Sequence, residues 1–253
     1  MSVWRILCAT DFSPASGPPW AFAQQLRRST GAELLLLHVV PAGSVARAAA
    51  VADPVYRRAR EDDKRRALAV LGRFAEFAMD REAGVTLRVD DGPASARILA
   101  IAEEEAVDLV VVGTHGRTGL DRLVLGSVAE DVVEQASCPV VTVRPLSPAQ
   151  DTGHPLRRVL YAAEGSAGSR RARPWATAIA QAAGGSLEVL EVGTGAAEFI
   201  VRFAEAREAD LLVVDTTPDV SLPGVALGGT MRRVLHTAPC PVLTVGPAVG
   251  HTP

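Results

Sequence analysis

The sequence predicts an α/β fold of doubly wound parallel sheets, built twice along the chain. Short apolar runs of strand length, such as Val3–Ala9 and Glu33–Val40, alternate with longer amphipathic stretches. Runs apolar on both faces belong in parallel sheets covered by helices. The segment Val111–Val143 recurs at Val213–Val245, with thirteen of 33 positions identical at a constant offset of 102. A self-similarity of this kind marks a repeated structural unit. The 253 residues are 48% apolar and 22% charged, enough for a real core in one large domain or two ordinary ones.

The elements follow in order from periodicity and punctuation. Val3–Ala9 reads as a buried strand, Pro19–Arg28 as a helix and Glu33–Val40 as a second buried strand. Asp53-Pro54 pairs a cap residue with a proline in the first turn and opens a helix to about Arg81, with Val70, Phe74 and Phe77 on one face. Val85–Val89 is a strand, Ser95–Glu105 a helix, Asp108–Val112 a strand, Val128–Gln135 a helix and Val140–Val143 a last strand. Pro145, Pro148, Gly153 and Pro155 mark a linker. The boundaries are therefore 1–146 for the first unit, 147–155 for the linker and 156–253 for the second.

The second unit is shorter. Arg158-Val159-Leu160 resembles Arg5-Ile6-Leu7, Pro174-Trp175 resembles Pro19-Trp20, and Val192 falls on Val39. The offset there is 153, against 102 downstream, so 51 residues are missing between Val192 and Ile200. The loss takes the third strand and the second helix. Ser186–Val192 carries Glu188 and Glu191, charges that discourage stray pairing on a strand left at a sheet edge.

Composition excludes several classes. Lys+Arg is 26 and Asp+Glu is 29, for a formal net charge of −3, so no overall basic field attracts nucleic acid. Lys64 is the only lysine and lies outside any Gly-Lys-Ser/Thr loop, which excludes a P-loop. Cys8, Cys138 and Cys240 are too few and odd in number for a disulfide scaffold; they read as small apolar fillers in a reducing compartment. No apolar run approaches the roughly 18–20 residues of a membrane helix, and the N-terminus lacks a signal-peptide pattern. A soluble cytoplasmic protein without a membrane partner is expected. Arg57, Arg58, Arg60, Lys64, Arg65 and Arg66, interleaved with Glu61, Asp62 and Asp63, read as a solvated mixed-charge helix face.

In open parallel sheets ligands sit beyond the carboxyl ends of the strands. The loop after Val112 holds Gly113, His115, Gly116, Gly119 and Gly126, and a helix starts at Ser127. Two readings stand side by side. Glycines and a free helix N-terminus cradle an anion without lysine. Equally, glycines permit turns, and Ser127 with Glu130 forms a capping box that starts the helix unaided. Asp11, after the first strand, is either a ligand contact or a cap of the next helix. His115 reads as a solvated loop residue and His38 as packed.

The spacing Gly113-x2-Gly116-x9-Gly126-Ser127, with Thr10-Asp11-Phe12-Ser13, His38-Val39 and Cys138-Pro139-Val140, resembles the universal stress proteins. The resemblance covers Met1–Arg144 and, more weakly, Leu156–Pro247. It implies two universal-stress-protein-like domains with strand order 3-2-1-4-5, the second lacking the third strand and second helix. It further implies ATP in the first domain, with Asp11 on ribose, the Val39 backbone on adenine, Gly113 and Gly116 along ribose and phosphates, and Gly126, Ser127 and Val128 around the phosphates. Mg2+ would be held through the phosphates. Pairing through the last strand would make the two domains an intra-chain pseudo-dimer, and a homodimer of chains is a further possibility.

In the second unit Gly113 becomes Asp215, Gly116 becomes Pro218, Ser127 becomes Gly229 and Asp11 becomes Glu164, so ATP binding is not expected there. The function read from this is a nucleotide-binding stress regulator rather than a dedicated enzyme. A slow ATPase at the same site and a ligand-free interaction module are the alternatives.

Overall fold

The computed structural model describes residues 4–41, 54–77, 84–114, 125–145, 156–164, 171–193, 195–216 and 227–250. In chain order these form β1 (Arg5–Thr10), a 3-10 turn (Pro14–Ser16), α1 (Gly17–Thr30), β2 (Glu33–Pro41), α2 (Pro54–Phe77), β3 (Val85–Gly92), α3 (Ala94–Glu104), β4 (Leu109–Gly113), α4 (Ser127–Gln135) and β5 (Val140–Val143). The second half supplies β6 (Arg158–Glu164), α5 (Ala172–Ala182), β7 (Ser186–Val192), α6 (Ala197–Ala206), β8 (Leu211–Asp215), α7 (Gly229–Thr237) and β9 (Val242–Val245).

All nine strands join one sheet in the order β3-β2-β1-β4-β5-β9-β8-β6-β7. Every neighbouring pair is parallel except β5 and β9, which run antiparallel with Val141 opposite Leu243. The first five strands thus have the order 3-2-1-4-5. The remaining four repeat it without the third strand, which leaves β7 at the edge. Strand composition explains the burial. In β2 the run Leu34–Leu37 is buried on both faces, whereas edge strand β7 buries only Val192 fully.

The sequence repeat is also a repeat of contacts. The Arg5 N–H donates to Asp108 Oδ2 at 2.7 Å, and its counterpart Arg158 N–H donates to Asp210 Oδ2 at 2.8 Å. Thr114 N–H donates to the Val143 carbonyl and Thr216 N–H to the Val245 carbonyl, both at 3.0 Å. Two hydrophobic clusters form, one on each face of the sheet, and each contains residues of both halves. Trp20 and Trp175 are fully buried in one of them, and Trp4 packs on Trp175 with ring centroids 5.5 Å apart.

Two local expectations change. The buried face of α2 is Leu71, Phe74 and Ala75 at helical spacing, while Val70 is 37% exposed; the side chain of Phe77 lies outside the described residues. Strand β3 continues past Val89 to Gly92 because Asp90 and Asp91 pair in register with Val39 and Val40. Their charges are met from neighbouring helices: Arg97 reaches Asp90 at 2.6 Å, Arg60 reaches Asp91 at 2.8 Å and Lys64 at 2.5 Å.

Candidate functional site

The carboxyl ends of β1, β2 and β4 and the start of α4 enclose a cavity of about 320 Å³, the lower end of the roughly 300–1,000 Å³ typical of small-ligand sites. Its lining mixes apolar side chains, among them Leu37, Val39 and Ile98, with the polar Thr10, Asp11, Ser16 and Ser127.

The turn after β1 is built by its own side chains. Asp11 Oδ1 accepts the Ser13 N–H at 2.9 Å and the Ser16 hydroxyl at 2.7 Å, an Asx turn that fixes the carboxylate. Phe12 between them sits at φ 63°, a left-handed conformation that costs a non-glycine residue roughly 1–2 kcal/mol. Packing holds it there: the Phe12 ring stacks on His38 at 4.0 Å and meets Phe74 at 6.1 Å. His38 is 4% exposed and its Nδ1 lies 2.7 Å from the Thr10 carbonyl, so Nδ1 carries the proton in this contact. It is a packed residue that braces the site, as its place at a strand end predicts.

At the start of α4 the capping box is not formed. Gly126 takes the N-cap position with no side-chain cap, and Ser127 is the first helical residue. Glu130 turns instead to Arg232 of the second half, at 2.5 Å. Among the described residues no side chain caps the first amides of α4, and Gly126, Ser127, Val128 and Ala129 all line the cavity. Uncapped N–H groups and the positive end of a helix dipole favour an anion. Gly126 is also sterically fixed: its N–H donates to the Thr114 carbonyl at 2.8 Å, and a Cβ would stand 3.2 Å from that oxygen.

Of the residues read from sequence, Asp11, Val39, Gly113, Gly126, Ser127 and Val128 line this one cavity. Gly116 and His115 lie outside the described residues. The sequence reading missed Ser16, whose hydroxyl holds Asp11 from five residues away; the Asp-x-Ser spacing of Asp11 and Ser13 was the legible part of that turn.

In the second half Asp215 stands where the first half has Gly113. Asp215 Oδ2 accepts the Tyr161 hydroxyl at 2.8 Å and Oδ1 accepts the Ala172 N–H at 3.0 Å. The carboxylate is thus turned onto the start of α5. Burial holds it above the usual carboxylate range, opposed by the Tyr161 and Ala172 hydrogen bonds. Tyr161 falls on Cys8 and Asp215 on Gly113 in the repeat, so two substitutions together make this contact. The three thiols are buried, and desolvation pushes Cys138 and Cys240 up to about 12 and Cys8 higher still. They are packing residues rather than reactive ones. Among the described residues no group of three or more His, Cys, Asp or Glu could hold a metal ion, and no helix is long and apolar enough to cross a membrane.

A doubly wound sheet with a cavity at its strand ends and an open helix N-terminus is the architecture of a small-ligand-binding α/β protein. The model of the universal stress protein family matches residues 4–144 and 191–246, and the chain belongs to that family. Universal stress protein YxiE of Bacillus subtilis is 31% identical over 145 residues, 55% of this chain and 98% of that protein. Universal stress protein MJ0531 of Methanocaldococcus jannaschii is 44% identical over 68 residues, which span 26% of this chain and only 40% of the relative. A universal stress protein of Archaeoglobus fulgidus shares the fold over 96% of both chains, with a TM-score of 0.71 at 18% identity.

Proposed function

We propose that this chain is a cytoplasmic stress-response protein that binds ATP in its first half, residues 1–146. The unit 156–253, joined by the linker 147–155, is its structural and regulatory partner. The observation that carries the reading is the uncapped start of α4 lining a cavity that Leu37, Val39 and Ile98 also line. The apolar side chains suit a purine and the amides of Gly126, Ser127 and Val128 suit phosphate oxygens. Asp11, locked by Ser13 and Ser16, suits the ribose hydroxyls. Gly113 and Gly116 complete the ribose and phosphate contacts. Mg2+ would ride on the phosphates and water. Three buried thiols accord with a reducing compartment. With β5 already paired to β9, the second half takes the seat of a partner subunit, and one ATP per chain is expected.

Calorimetric titration of nucleotide-stripped protein with Mg-ATP tests this. The parent should bind one equivalent. Gly126→Asp should abolish binding, and Val128→Glu, which adds a carboxylate without crowding Thr114, should weaken it at least about tenfold through charge repulsion. Absence of binding by the parent overturns the proposal. Recovery of ADP instead of ATP after incubation would make the site a slow ATPase.

A further inference from the structure

Helix α7 of the second half reaches the segment that opens α4. The Leu125 N–H donates to His236 Nε2 at 3.4 Å. On the same face of α7, one turn earlier, Arg232 reaches Glu130 at 2.5 Å and Glu134 at 3.7 Å. The Arg232 Nε also donates to the Leu227 carbonyl at 3.3 Å, which holds the guanidinium in place. Leu125 is buried in a hydrophobic cluster that also holds Val132, Leu227, Val234 and Leu235, so the two helices share a core at this point. The next residue, Gly126, is the N-cap of α4.

From these contacts we infer that His236 is a positioning residue for the phosphate end of the first-half site, lent across the sheet by the second half. The inference rests on the nucleotide reading above and assigns that site's regulation. Leu125 has two main-chain groups to satisfy near a loop that must present its following amides in a fixed direction. His236 accepts the first of them. The Leu125–Gly126 peptide is then anchored on one side by His236 and on the other by the Gly126 N–H bond to Thr114 at 2.8 Å. Arg232 acts on charge. Glu130 stands in the first turn of α4, where a carboxylate opposes an incoming phosphate. Pairing with Arg232 offsets that charge. Both groups belong to the half that lacks the glycine pattern, which gives that half a role in the first half's binding.

The repeat makes the assignment specific. His236 falls on Glu134 of the first half, and Arg232 falls on Glu130. At both positions α7 carries a group that α4 needs, and α4 carries the acid that α7 meets.

The test uses the full chain with two variants and two readouts. His236→Ala removes the acceptor; His236→Gln keeps one at similar reach. In ligand-free protein, amide exchange at Leu125 and Gly126 should accelerate in His236→Ala and return toward the parent rate in His236→Gln. Mg-ATP affinity should fall about tenfold in His236→Ala, the scale of one lost hydrogen bond, and stay within about threefold in His236→Gln. Unchanged exchange in His236→Ala overturns the positioning role. Equal losses in both variants also overturn it, because they would report packing rather than the hydrogen bond. If the parent binds no ATP, the nucleotide reading fails while the exchange data still decide whether His236 anchors the loop.

Discussion

At the scale of single residues, Asp215 carries the sharpest consequence. Its carboxylate holds the Tyr161 hydroxyl and the Ala172 N–H, and burial keeps it easier to protonate than a free aspartate, whose ordinary value is 3.8. A group that binds its proton more tightly in the folded state adds stability below that ordinary value. The contribution drains away as pH rises through the raised folded value. Asparagine cannot ionise, and it keeps an acceptor for Ala172 and a polar neighbour for Tyr161. The melting temperature of Asp215→Asn relative to the parent should therefore be more favourable at about pH 7 than at about pH 4. Asp215→Ala removes the hydrogen bonds from the Tyr161 hydroxyl and the Ala172 N–H and should lose stability at every pH, by about 0.5–1.5 kcal/mol per lost bond. A difference between Asp215→Asn and the parent that is flat with pH would refute the ionisation argument. Asp90 and Asp91 run the opposite way. Burial opposes ionisation of Asp90, but the Arg97 hydrogen bond and the Asp91 N–H outweigh it; at Asp91 the Lys64 hydrogen bond leads. Both are held below the usual range, so their support is present at neutral pH and lost in acid.

At the scale of elements, α3 and α6 end in the same way. Ala106 and Glu208 occupy equivalent positions, and both sit at φ 48°. Behind them the Val107 N–H donates to the Ala102 carbonyl at 2.8 Å and the Ala209 N–H to the Ala204 carbonyl at 2.9 Å. This is a helix stop that ordinarily uses glycine. Ala106→Gly and Glu208→Gly should each stabilise the fold by about 1 kcal/mol, or roughly 2–4 °C in melting temperature. The Arg158–Glu208 ion pair lost in the second variant has its glutamate 75% exposed and adds little. A lower melting temperature for either variant, measured by calorimetry, would contradict the strain argument.

These elements also show what the sequence makes legible. The Leu34–Leu37 run and the Gly126-Ser127 junction declare a buried strand and a helix start by themselves. The continuation of β3 through Asp90 and Asp91 does not, because the cations that make two acids acceptable in a strand stand on other elements. The capping box at Ser127 and Glu130 fails for the same reason: Glu130 is drawn to Arg232, far along the chain, and no local pattern records that. Asp11 ties the turn after β1 and lines the cavity instead of capping the next helix, whose N-cap is Ser16.

At the scale of the whole molecule, the seam between β5 and β9 organises everything else. Val140 pairs with Thr244, Val141 with Leu243 and Thr142 with Val242. Val141 and Leu243 are equivalent in the repeat, so a local two-fold passes between them, and the register would serve two copies of β5 equally well. Val140, Val141 and Val143 are all buried, and the cluster around Val132 continues into Leu160, Val234 and Leu235. A fragment of residues 1–146 alone would expose this apolar strand edge together with the flank of α4, a state that sheets avoid. The fragment should therefore self-associate as a dimer with Val141 against Val141, using a β5 edge in place of β9. Sedimentation at micromolar concentration, beside circular dichroism to establish that the fragment is folded, reads the outcome. A Val141→Lys variant of the fragment should stay monomeric, because it sets two like charges directly opposite each other. A folded but monomeric parent fragment would mean that the seam follows from the linkage of the halves rather than from complementarity of β5, and the two-fold would then be a relic of duplication without energetic weight.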